Sequence, residues 1–473
     1  MNVTIHNSSW THREICHRIS LAGLVLAFAA GAATAADHRV APSTTKFSCS
    51  SVGPGDTITL SSGSRGPLVI ENCTGTSSRP IIVQNDPLGK GPTIIERTSG
   101  GAGGFVFTCN NCVWTRIDGS GKWVGAPSTT AYGIKVTMSG GESPTAFLKI
   151  KGLSSFVTIR GLEIDGRWPA LATDGIGISV NDHSVVTADY PGMWTDGIAI
   201  EGNYVHHVEG EGLYVGPNWG KGGLPLRNVK ISGNLVVDTG WNGINVKSII
   251  GGGGEIHHNV VRRAGKSIDA EAGQHSGIAL LEGGAKIHSN WVEDSGESGI
   301  THYLQNLPSS YGAQVSEIFN NVVIGSGRTG PLAGHGISSA GKDGSAIPQP
   351  KIYSNTVVGS EGYGIKVGPT AMSGLVTDNI VADAGDTPVS AQGSVRVANN
   401  LIGTTAKIGF VDASRKDFRL QSSSAARNAG SSQFPAVDFD DVPRPQDGVA
   451  DQGAFEFIGS SVKPEPPQLI IVE

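Results

Sequence analysis

Apolar and polar residues alternate along this chain in short runs bounded by glycine. In GWNGINVKS, residues 240–248, Ile244 and Val246 alternate with Asn245 and Lys247, a period of two that gives a strand one apolar and one polar face. The same alternation follows a glycine in GLYV, GIAL, GITH, GISS and GIKV. A second pattern, I-x-x-N-x-V, recurs as IEGNYV, ISGNLV, IHHNVV, IHSNWV, IFNNVV, IYSNTV, VTDNIV and VANNLI. Its asparagines are Asn203, Asn234, Asn259, Asn290, Asn321, Asn355, Asn379 and Asn400, spaced 31, 25, 31, 31, 34, 24 and 21 residues apart. No repeat holds the helical period of a leucine-rich or ankyrin array, and a four-stranded propeller blade needs about 40 residues. The pattern predicts an all-β, right-handed parallel β-helix of one domain, its coils about 4.8 Å apart and its asparagines stacked in an internal ladder.

The flanks complete this picture. Residues 50–86 read as the short strands and turns that begin the solenoid, and VTIRGLEIDG, residues 157–166, reads as a further coil with Leu162 at the asparagine position. Coil ends expose unpaired edges and need cover, so residues 417–457 are expected to close the C-terminal end and 458–473 to form a loose proline-rich tail. At the N-terminus HREICHR precedes the apolar run ISLAGLVLAFAAGAA, with small residues at Ala33–Ala36. That is the layout of an export signal, too short for a membrane span. The domain reading is therefore signal 1–35, solenoid with caps 36–457 and tail, in a secreted, periplasmic or cell-surface protein.

Composition narrows the function classes. With 68 glycines, 13 phenylalanines, 4 methionines and a formal charge of −6, nothing resembles a long helical domain. Lysine and arginine are scattered, which gives no nucleic-acid footprint. Cys49, Cys73, Cys109 and Cys112 remain after the signal. An even count in an exported chain favours disulfides, most simply 49–73 and 109–112. A four-cysteine zinc site is the alternative, but 49 and 73 lack the short paired spacing.

Alternation also assigns faces. One outward column is Tyr214, Asn245, Ala279, Thr301, Ser338 and Lys366, and a second is Gly216, Lys247, Leu281, Tyr303, Ala340 and Gly368. Lys247 and Tyr303 then sit two coils, about 10 Å, apart. His302 falls at an inward position, as a bonded core histidine or as the sign of a strand that bends outward. His257 and His288 share a column with Phe319 and Tyr353 and read as a stack. Arg263 beside Asp238 and Asp294, and Arg262 beside Glu293, read as salt-bridge ladders. Long inserts bring Trp219, His275, Tyr311 and His335 near the Lys247 strand, and Trp241 precedes it. Aromatic and polar side chains on loops over a rigid strand face suit a carbohydrate groove.

PGDTITL, residues 54–60, with PIIV downstream, resembles the N-terminal coils of pectin-lyase-like β-helix proteins. Among them the chain looks closest to the alginate-lyase and chondroitinase-B family. INVKS resembles the short strand carrying that family's catalytic lysine, which implies a catalytic role for Lys247. The family follows that lysine, one coil on, with an arginine in a leucine-rich strand before a glycine. Here that strand is GIALLEGG, and the matching position is Glu282, a departure of opposite sign.

These residues sort into three readings. The first is a polysaccharide lyase that cleaves a uronic-acid-containing polysaccharide by β-elimination. Lys247 is its base or charge neutraliser and Tyr303 its proton donor, with His275 or His335 assisting and Tyr214, Trp219, Trp241, Asn245 and Tyr311 binding sugar. The second is a glycoside hydrolase using two of Glu209, Glu211 and Glu282. Those acids also suit a Ca²⁺ ion, though no cofactor is fixed by the sequence. The third is a surface protein that only adheres to glycan.

Overall fold

Each coil contributes three short strands, and strands of successive coils pair side by side to give three parallel sheets of 13, 12 and 14 strands. The computed structural model describes residues 34–459 apart from 127–131, 172–174, 183, 218–221, 251–252, 268–270, 305–314, 328–333, 342–345 and 348. The chain is a parallel β-helix, and Ala35–Glu473 forms one unit. The export signal lies almost wholly outside the described residues, as does most of the tail. No described helix is long and apolar enough to cross a membrane.

Inside the coils, the asparagine ladder runs unbroken. From Asn203 to Asn400, each side-chain Nδ2 donates to the Oδ1 of the next asparagine at 2.9 Å. The second amide hydrogen of Asn234 goes to the Ile200 carbonyl at 2.8 Å. Asn290 Oδ1 accepts twice, from Asn259 Nδ2 at 2.9 Å and from the Asn259 main chain at 3.0 Å. Every polar atom of a rung is thus satisfied away from water, the condition under which buried amides stabilise. The ladder ends at the leucine coil, where the Leu162 main-chain N–H donates to Asn203 Oδ1 at 3.0 Å.

Other sequence expectations resolve in the same way. Cys49 pairs with Cys73 and Cys109 with Cys112. His257, His288, Phe319 and Tyr353 stack with ring centroids 4.9, 4.7 and 5.1 Å apart. Arg263 pairs with Asp238 at 2.6 Å and Arg262 with Glu293 at 3.2 Å. His302 is a core residue, 0% exposed. Its Nδ1 lies 3.0 Å from Ser339 Oγ and its Nε2 3.0 Å from Ser316 Oγ.

The C-terminal segment differs from expectation. After the short helix Thr405–Ile408 and the antiparallel pair Phe410–Asp412 and Asp417–Leu420, the chain lies along the outer flank of the 12-stranded sheet. Phe410, Phe418, Phe439 and Phe455 pack with Trp291, Val322, Val358 and Ile380. Lys416 pairs with Glu293, Asn320 Nδ2 donates to the Val437 carbonyl and Ala454 N to Thr356 Oγ1. The reason lies in the repeat. The residue after each ladder asparagine points outward, and from Trp291 to Ile380 it is mostly apolar, so that flank needs cover.

Candidate functional site

The 14-stranded sheet holds the candidate face. Pairing aligns Lys149, Ser179, Tyr214, Asn245, Ala279, Thr301, Ser338 and Lys366 in one outward column. Lys247, Leu281, Tyr303 and Ala340 align in the next. The alternation therefore transmits the register read from the sequence, and Lys247 and Tyr303 stand two strands apart, about 10 Å.

Around Lys247 the contacts are close. Its ammonium lies 4.9 Å from the centroid of the Tyr214 ring. Glu211, 2% exposed, accepts from Asn245 Nδ2 at 3.1 Å through Oε1. Its Oε2 meets no hydrogen-bond donor among the described residues. Burial pushes the Glu211 carboxyl up, while its own main-chain N–H, the Asn245 bond and the Lys247 charge pull the other way. Burial also raises the Tyr214 hydroxyl, helped by the charges of Glu211 and Glu282. A hydroxyl so held stays protonated and can donate.

Glu282 breaks the strand's alternation. It takes φ 65°, as Ser248 one coil earlier takes φ 56°. Alternation with Val246 and Leu280 would point both side chains inward, and these left-handed conformations, uncommon outside glycine, interrupt that alternation. Glu282 is buried, and its Oε2 lies 2.8 Å from the Ser248 hydroxyl. Its charge is held against Ser248 and not displayed on the face.

The other sequence candidates separate into distinct neighbourhoods. His275 is buried, with Nε2 2.9 Å from the Ser267 carbonyl and Nδ1 3.5 Å from Glu297 Oε1. The Glu297 carboxylate raises its pKa. His335 belongs with Lys366. Its Nε2 lies 3.4 Å from Lys366 Nζ, and its Nδ1 accepts from the Tyr363 main chain at 3.3 Å. Burial and the Lys366 charge bring it down to about 4. Four strands separate that group from Lys247, roughly 19 Å. Trp241 is half-buried in the turn before the Lys247 strand, and Glu209 is half-buried before the Tyr214 strand. Trp219 and Tyr311 lie outside the described residues.

Lys149 is the residue the sequence reading missed. It stands in the Tyr214 column two strands earlier, nearly buried, with Nζ 3.0 Å from Ser179 Oγ and also bonded to Asn181 Oδ1. Burial lowers it to about 8, with Lys151 adding to the fall and Asp182 opposing it. Extending the Tyr214 column backward through Ser179 would have found it.

From Phe105 to Ala391 the strands on the main path of this sheet carry four lysines, at 149, 151, 247 and 366, and one acid, Glu282. Each lysine lies over an aromatic ring. Lys149 and Lys151 are 5.6 and 5.8 Å from the Phe105 centroid, Lys247 is 4.9 Å from Tyr214 and Lys366 is 4.7 Å from Tyr363.

No protein-family model and no curated protein matches the chain. Among solved structures it is similar to the pectate lyase Pel9A, at 13% identity and TM-score 0.48, covering 90% of this chain and 97% of that one. An alginate lyase from Paenibacillus sp. str. FPU-7 is similar at 15% identity and TM-score 0.39, covering 76% and 99%. The PL6 family alginate lyase AlyGC is similar at 13% identity and TM-score 0.39, covering 85% and 59%.

Proposed function

We propose that the protein binds an acidic polysaccharide along the 14-stranded sheet and cleaves it at Lys247 by β-elimination. The observation that carries this reading is the line of ring-seated lysines on one face. Each ring seats an ammonium by its π face, so the lysines are lined up along one sheet where a polyanion can lie. The resemblance of INVKS to the lysine strand of alginate and chondroitin lyases supports the same residue.

In the proposed reaction a uronate sits over Lys247 and Tyr214. Lys247 meets the uronate carboxylate as the ammonium on binding, gives that proton to solvent, and as the amine then takes the C5 proton. The C4–O bond breaks, a C4–C5 double bond forms, and the leaving oxygen takes a proton from Tyr303 or from Tyr214. Tyr214 enters as donor because its hydroxyl stays protonated beside the buried acids. Lys149 and Lys366 hold carboxylates further along the chain.

The test is ultraviolet absorbance of unsaturated uronates during incubation with a panel of uronic-acid polysaccharides, with and without Ca²⁺. A rise with one substrate that disappears in Lys247→Ala upholds the reading. Specific cleavage retained by Lys247→Ala overturns the role of that residue. One observation favours a hydrolase as second reading: Glu211 is a buried carboxyl with a raised pKa, the state a glycosidase's general acid requires. New reducing ends without absorbance, lost in Glu211→Gln, would select it. Binding without either signal would leave a glycan-binding surface.

A further inference from the structure

A second constellation lies on the 12-stranded sheet and has no part in the proposed elimination. Asp165, at the end of the strand Leu162–Asp165, pairs in register with His206 in the strand Tyr204–Val208 of the next coil. His207 follows with φ 52°, a left-handed residue that swings its side chain to the same side as its neighbour's. The two imidazoles meet with Nδ1 atoms 2.7 Å apart.

What faces the other ring nitrogens decides the chemistry. His206 Nε2 lies 3.4 Å from Glu163 Oε1, and His207 Nε2 lies 4.0 Å from Asp238 Oδ2. A carboxylate holds the imidazole proton on the nitrogen it faces. With both protons so placed, the Nδ1 atoms present lone pairs to each other, an arrangement that a shared proton or a metal cation between them relieves. Asp165 Oδ1 stands 3.9 Å from His206 Nδ1. That oxygen accepts from the Arg167 main chain at 3.0 Å, and Oδ2 accepts from Lys135 Nζ at 3.1 Å. One ligand atom from each of the three residues lies within 4.8 Å of the others.

We propose that Asp165, His206 and His207 bind a divalent transition-metal ion, zinc by its donor set, which ties two adjacent coils together. Nearby, Lys135, Arg263 and Lys266 balance Glu163, Asp165 and Asp238. Net charge therefore does not hold the ion, and the imidazoles do, a preference for zinc, copper or nickel over calcium or magnesium. Two nitrogens on one tetrahedral zinc sit roughly 3.3 Å apart, so the rings open by several tenths of an ångström. His207, half-buried, has room to turn. The adjacent pair His257–His258 has the same ring contact, 2.8 Å between Nδ1 atoms. Asp441 faces His258 Nε2 at 3.6 Å, while His257 Nε2 meets no hydrogen-bond partner among the described residues. This pair serves as the internal control.

The experiment is titration of tag-free, chelator-treated full-length protein with Co²⁺ and then Zn²⁺, followed by visible absorption and melting temperature. One equivalent of Co²⁺ should bind with the absorption of a low-coordinate ion, and Zn²⁺ should displace it and raise the melting temperature. His207→Asn suits the left-handed backbone and should keep the fold. With Asp165→Asn, it should weaken binding at least about 10-fold, and His258→Ala should leave it unchanged. Equal binding by wild type and His207→Asn would overturn the site. So would an absence of saturable binding in the wild type, which would leave a shared proton between the imidazoles.

Discussion

On the 13-stranded sheet the column Lys230, Glu255, Lys286, Glu317 and Lys351 alternates in sign from coil to coil, with Lys351 bonded to Glu317 at 2.8 Å. On the 14-stranded sheet Lys149, Lys151, Lys247 and Lys366 rest on Phe105, Tyr214 and Tyr363. Both arrangements fix a lysine on a flat, repetitive surface. An acid offsets the charge it fixes, whereas a ring seats the ammonium through its π face. On the proposed function, the difference separates an ion-paired surface from one that takes the acidic polysaccharide.

Lys247→Ala strikes the second arrangement hardest. Loss of a positioned base should lower kcat/KM on the substrate found by the panel roughly 10²–10⁴-fold, while urea unfolding stays unchanged. Asn290→Ala should do the opposite, because it strands the amide of Asn259 and the rung at Asn321. Stability should fall by about 3 kcal/mol, measured by urea denaturation, with cleavage per folded molecule retained.

The core histidine gives a pH test. His302 is held down to about 4 by burial, below its ordinary value near 6.5. The unfolded chain therefore takes up a proton first. The stability His302 permits is complete above about pH 6.5 and is lost as pH falls toward 4, by up to about 3 kcal/mol. In His302→Gln that part of the acid-side slope should be missing, and an unchanged slope would assign it to other groups.

Smaller effects sharpen the contrast itself. Tyr214→Leu removes the seat under Lys247 and should weaken polyuronate binding about 3- to 5-fold, the scale of one cation–π contact. Lys366→Ala should weaken binding modestly, more at low salt than at high. Lys351→Ala, from the acid-paired sheet, should leave binding alone and shift stability by less than about 1 kcal/mol. Equal losses for the two lysine variants would erase the distinction.

Much of this was legible in the sequence because a β-helix repeats its constraints. Asn203 through Asn400 announce the ladder, and period-two alternation carries Tyr214, Asn245 and Lys366 into register without any tertiary information. The chemistry is harder to read because it sits where repetition stops. Lys149 lies in a coil before the first ladder asparagine, so the ladder does not mark its column and only the alternation carried back from Tyr214 through Ser179 reaches it. Ser248, Glu282 and His207 take left-handed backbone, which interrupts the alternation that assigns faces. The placement of residues 417–457 along a flank depends on apolar residues such as Trp291 and Ile380, which the repeat pattern treats as variable positions.

That flank changes how the molecule must be made. A bare solenoid can grow coil upon coil, each finished when the next arrives. Here Lys416 reaches back 123 residues to Glu293 and Val437 reaches back 117 to Asn320, so coils already wound wait for chain not yet synthesised. Until Phe418, Phe439 and Phe455 emerge, the apolar strip from Trp291 to Ile380 stays bare. A product cut short before them advertises its incompleteness to chaperones and proteases, and only the finished chain conceals it.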